Sequence, residues 1–122
     1  MSERIIYDGT DLLIDLNEKV KELETALNDL MSGGVTLALA ERDYKITLRK
    51  HSLLLKDYGY TATMIDKTIL GVDEVAEARY KRDVAEAIYE AKKERINCTK
   101  LEIRVLEAQI EREYGKYVGG GV

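Results

Sequence analysis

The sequence predicts an all-α protein: an antiparallel helical hairpin packed on one long C-terminal helix, coiled-coil-like in its spacing. Three observations lead there. The 122 residues include no proline, so the commonest helix breaker is missing. Between Asp73 and Tyr114 there is no glycine either, and nearly every third or fourth position is apolar; one helix over that stretch would be on the order of 60 Å long. Such a helix cannot bury its own stripe and needs partners, which the apolar heptads of the N-terminal half can supply.

Residues 1–10 read as a short lead-in in which Ile5, Ile6 and Tyr7 form a hydrophobic staple or a brief strand. Thr10 or Asp11 can cap the first helix, with Asp15 in its first turns where the helix dipole favours acid. Leu13, Leu16, Val20, Leu23, Leu27 and Leu30 alternate steps of three and four and make a heptad seam, widened by Leu12 and Met31. Ser32-Gly33-Gly34 is expected to stop this helix, because glycine takes the left-handed conformation that ends helices. A second helix then runs from Val35 or Thr36 to Tyr58. Its seam is Leu37, Glu41, Tyr44, Leu48, His51, Leu55 and Tyr58, broadened by Ala40 and Leu54, and a linker this short favours an antiparallel hairpin.

Gly59-Tyr60 closes the second helix, Thr61 or Thr63 caps a short helix ending near Leu70, and Gly71 ends that. Asp73 caps the long helix, with Glu74 and Glu77 in its first turns. The front half of the long helix is alanine-rich, which permits close helix approach. Its back half carries two stripes, one through Cys98, Leu101, Val105 and Ala108 and one through Ile96, Ile103, Leu106 and Ile110. Residues 1–118 are read as one domain and the Gly-rich residues 119–122 as a flexible tail.

Composition narrows the function. Apolar residues make up 45% and charged residues 34%, too hydrophobic for a disordered chain and too charged for a membrane protein. No apolar run approaches the ~20 residues that span a bilayer, and the acidic N-terminus does not read as a secretory signal. With a single cysteine there is no intrachain disulfide, so a cytoplasmic location is expected. All large aromatic bulk comes from eight tyrosines.

Chemistry is thin. His51, the one histidine, falls on the seam of the second helix and reads as a core or seam-edge histidine rather than a ligand. Cys98 reads as a small buried apolar residue; a thiolate nucleophile would need a base, and only His51 is available. The carboxylates lie between stripe positions and read as solvated faces. There is no Gly-rich phosphate loop, no Gly-x-Ser-x-Gly elbow and no His-Glu-x-x-His. Neither enzyme activity nor a cofactor or metal is expected.

Charge is the more specific signal. Residues 1–31 hold eight acidic and three basic side chains, whereas 35–60 hold three acidic and five basic. Arg42, Lys45, Arg49, Lys50 and Lys56, bordered by Tyr58 and Tyr60, form a candidate basic strip for nucleic acid or a protein partner. The competing account pairs this strip with the acidic first helix across the hairpin. Opposite charges four residues apart on the long helix read as an exposed, self-paired face.

Residues 64–114 resemble small helical proteins of phages and prophages of Gram-positive bacteria, through Ile65-Asp66-Lys67-Thr68-Ile69, Arg79 to Glu86 and Leu101-Glu102-Ile103-Arg104. The resemblance implies an accessory role in the host cytoplasm, in recombination or replication or in blocking a host defence such as a CRISPR nuclease. It transfers no functional residues. The combined expectation is a non-enzymatic protein-interaction partner or inhibitor, homodimeric through Ile96, Ile103, Leu106 and Ile110. The alternative is a nucleic-acid-binding recombination or replication accessory protein using the basic strip.

Overall fold

The computed structural model describes residues 9–119. The lead-in residues Ile5, Ile6 and Tyr7, and the tail past Gly119, lie outside the described residues. The protein is all-α: α1 (Gly9–Asp57), α2 (Ala62–Thr68), a 3-10 turn (Ile69–Gly71) and α3 (Asp73–Gly119). It is a helical hairpin whose limbs are α1 and the long C-terminal helix α3, which pack together. The chain forms two compact units, one drawn from Met1–Asp29 with Lys93–Val122 and the other from Leu30–Lys92.

The expected stop at Ser32-Gly33-Gly34 is corrected, because α1 is one helix of 49 residues through all three. Only Gly59 has a positive φ among the described residues, so neither Gly33 nor Gly34 takes the conformation that ends a helix. Gly33 serves close approach instead, whereas Gly34 leaves room for a side chain. A Cβ built on Gly33 would lie 3.1 Å from Lys92 Cδ, and one on Gly34 would lie 3.4 Å from Tyr89 Cε1. Two internal glycines cost a helix about 2 kcal/mol together, which the contacts along a helix of this length can offset. Glu41, expected on the seam, is exposed, and the seam passes through Ala40 and Tyr44.

In Leu30–Lys92, the α3 positions turned away from solvent are Val75, Ala78, Arg82, Ala85, Tyr89 and Lys92, in alternating steps of three and four. Their register with α1 is antiparallel: Tyr89 lies by Gly34, Arg82 stacks over the Tyr44 ring at 4.6 Å, and Glu74 meets His51. At the turn end, Ile65, Ile69 and Val75 form a small core against Tyr44, Leu48, Leu55 and Val72. Gly59, at φ 90°, turns the chain out of α1, and the Tyr60 N–H donates to the Leu55 carbonyl. Thr61 caps α2 as expected, its Oγ1 accepting from the Met64 N–H. Asp73 opens α3, with Glu74 also in its first turn.

In the other unit, α3 turns Ile96, Thr99, Ile103, Leu106, Ile110 and Glu113 inward with the same alternation. Its α1 counterpart is Leu12, Leu16, Lys19, Leu23 and Ala26. The expected seam is half right: Leu16 and Leu23 belong to it, but Leu13, Val20 and Leu27 are exposed and Leu12 and Ala26 are buried in their stead. Lys19 Nζ joins the limbs through Glu102 Oε2 at 2.7 Å and also reaches Glu22 at 3.1 Å. These two carboxylates, Glu102 foremost, raise the Lys19 pKa. Thr99 is buried with its hydroxyl donating to the Arg95 carbonyl, so it leaves no unsatisfied polar atom.

Candidate interaction surface

Large apolar side chains are distributed unusually. Among the described residues, seven hydrophobic ones are buried, three of them in the core at the turn, whereas some twenty large ones are exposed. Scattered exposure is ordinary for a soluble protein, but here the exposed residues form rows. Leu13, Val20 and Leu27 repeat every seven residues on α1 in one unit, and Leu39, Ile46 and Leu53 do so in the other. Residues seven apart share a helix face, so each row lies on one side of α1, with Asn17 and Glu24 between its members in the first and Arg42 and Arg49 in the second.

The basic residues lie beside the second ridge. Arg42, Lys45, Arg49 and Lys56 are exposed at spacings of three, four and seven, on one face of α1. Lys50 stands round the helix from them, near enough to Glu74 for its charge to help lower that carboxyl. Arg42 approaches its neighbour Asp43 at 3.5 Å, an exposed pair of little energetic consequence. No ion pair among the described residues holds Lys45, Arg49 or Lys56. Tyr58, past the end of α1, is 81% exposed, and Tyr60 borders a shallow hollow with Ser52, Lys56 and Asp66.

The described part of the acidic stretch and the basic strip both belong to α1, so no hairpin turn brings them face to face. Ile96 is buried, and Ile103, Leu106 and Ile110 are half-buried on the inward side of α3. Leu101 and Val105 are exposed and, with Leu106, line a groove beside Asp15, Glu18 and Lys19. Cys98, expected to be buried, is exposed, because it falls outside the inward positions Ile96 and Thr99.

His51 is a seam-edge histidine, as expected, though its partner is neither backbone nor tyrosine. Its side chain is 13% exposed and Nε2 lies 2.7 Å from Glu74 Oε2. That hydrogen bond holds the Glu74 carboxyl below its ordinary pKa. The described residues contain no cluster of three or more His, Cys, Asp or Glu able to hold a metal, and no described helix is long and apolar enough to cross a membrane. No family model, no curated protein and no solved structure matches the chain.

The ridge Leu39-Ile46-Leu53 escapes sequence reading because helix two offers two heptad patterns at once. One runs through Leu37, Tyr44 and His51 and the other through Leu39, Ile46 and Leu53. The signal was present: a second row of large aliphatics at sevenfold spacing is more than one buried seam needs.

Proposed function

We propose that this chain is a non-enzymatic, coiled-coil interaction protein that acts by docking apolar ridges of α1 on a protein partner, and that it works as a homodimer in the cytoplasm. The observation that carries this reading is the alignment of exposed Leu, Ile and Val side chains into ridges on α1. Residues of this kind at sevenfold spacing on one helix face suit recognition of another helix or a groove, where apolar anchors supply most of the binding energy. The resemblance of residues 64–114 to small phage proteins directs the reading towards an accessory role encoded by a phage or prophage. An inhibitor of a host defence nuclease, anti-CRISPR-like in action, is its specific form.

The purified protein should slow DNA cleavage by at least one of a panel of CRISPR nucleases at micromolar concentration. Ile46→Asp with Leu53→Asp should relieve the inhibition while circular dichroism stays helical. Full cleavage across the panel would remove the inhibitor role.

A second reading is favoured by Lys45, Arg49 and Lys56, exposed on one face and held in no ion pair among the described residues. It makes the chain a nucleic-acid-binding recombination or replication accessory protein. Binding would then fall steeply with salt and be lost in Lys45→Glu with Arg49→Glu. Absence of binding to single- and double-stranded DNA and RNA at low salt would dismiss it.

A further inference from the structure

Within the unit of Met1–Asp29 and Lys93–Val122, α1 and α3 leave an open groove beside their seam. Its volume is about 530 Å³, within the ~300–1,000 Å³ of binding clefts. The α3 side supplies apolar surface. Leu101 and Val105, four residues apart, are exposed there, and Leu106 is half-buried beside them. The α1 side supplies acid. Asp15 and Glu18 line it, and no ion pair among the described residues holds either carboxylate. Lys19, the one cation of the lining, is already engaged by Glu102 Oε2 at 2.7 Å and Glu22 Oε2 at 3.1 Å. The lining thus carries the carboxylates of Asp15, Glu18 and Glu102 against a single ammonium. Lys21 and Arg95 stand in the next hollow along, with Glu22 and Asp29.

We propose that this groove docks a cationic amphipathic helix of a protein partner, apolar on one face and edged with lysine or arginine. A helix laid in a groove between two others presents anchors three and four residues apart, which suits the spacing of Leu101 and Val105. Covering those side chains takes apolar surface out of water. Asp15 and Glu18 then stand along one edge of the docked helix, where complementary charge selects a cationic partner and rejects an acidic one. The same carboxylates repel phosphate, so nucleic acid is the wrong occupant for this face. The groove is separate from the ridge beside it. Around α1, Asp15 and Glu18 flank the inward column Leu12, Leu16, Lys19 and Leu23 on one side, and Leu13 and Val20 flank it on the other. A helix in the groove therefore leaves the ridge open.

The test uses the full chain and two fluorescein-labelled synthetic peptides with leucine at the same helical positions, one filled out with lysine and the other with glutamate. The Leu/Lys peptide should bind at micromolar concentration, read by fluorescence anisotropy, and the Leu/Glu peptide should not. Leu101→Asn with Val105→Asn should weaken that binding by about tenfold or more, and Glu18→Lys should weaken it severalfold. All three side chains are exposed, so the variants should stay helical by circular dichroism. Ile46→Asp with Leu53→Asp, which removes a ridge, should bind the Leu/Lys peptide as the wild type does. Failure of the ridge reading and failure of this one are thereby distinguished. No binding, equal binding of both peptides, or Leu/Lys binding that survives the groove substitutions would overturn the proposal. A dimeric mass in light scattering that the groove substitutions reduce to the 13.8 kDa of one chain would assign the groove to a second copy and overturn it too.

Discussion

His51 meets Glu74 from the other limb at the turn end of the hairpin, and this contact sets a pH dependence. The Glu74 carboxyl is held low by the His51 hydrogen bond and, to a lesser degree, by the charges of His51 and Lys50. A carboxyl lowered in the folded state contributes stability that is complete above the ordinary carboxylate range and is lost as pH falls through the lowered value. The melting-temperature difference between the wild type and Glu74→Gln should therefore hold near neutral pH and close as the pH is taken to about 3. A difference that stays constant into acid would mean the pair contributes nothing to folding. Residue-scale features with a local cause were legible in the sequence: Thr61 as a cap, Gly59 as the end of α1, Asp73 as the start of α3. The Glu74 partner of His51 was not, because it sits 23 residues away and only the antiparallel register brings it close.

Elements were legible in kind and misread at one boundary. Ser32-Gly33-Gly34 carries every local mark of a helix end, yet α1 runs through it with Lys92 of α3 lying close over Gly33 and Tyr89 in ordinary contact distance of Gly34. Gly34→Ala should therefore raise stability by up to about 1 kcal/mol, read as a higher melting temperature, since a helical glycine is being replaced by the best helix former. The added Cβ meets Tyr89 at 3.4 Å, close to ordinary contact. A loss of stability would mean that the chain turns at this point.

Seam assignment went astray for a related reason. The column Leu16-Leu23-Leu30 has two flanking columns, and the more apolar one, Leu13-Val20-Leu27, looks like the natural partner. The inward column is Leu12-Lys19-Ala26-Gly33 instead. Small residues let α3 come close, and the larger aliphatics are left facing outward. Periodicity identifies the helix but does not say which of two apolar faces a neighbour will take.

On the scale of the molecule, the all-α hairpin with a long C-terminal helix was readable from the absence of proline and the run of periodic apolar positions. What the sequence could not show was that the hairpin has two limbs, the second being the long helix itself. Two long helices have little interior between them, and the exposed ridges are the consequence. The charge division along α1 lies on one helix, and part of it meets α3, through Lys19 with Glu102 and Lys50 beside Glu74. The two-limbed hairpin thus depends on α1 being unbroken. Backbone ¹³Cα chemical shifts and amide exchange through Ser32, Gly33, Gly34 and Val35 test this most directly. The structure requires helical shifts and slowed exchange at all four positions; coil-like shifts with fast exchange at the two glycines would contradict it.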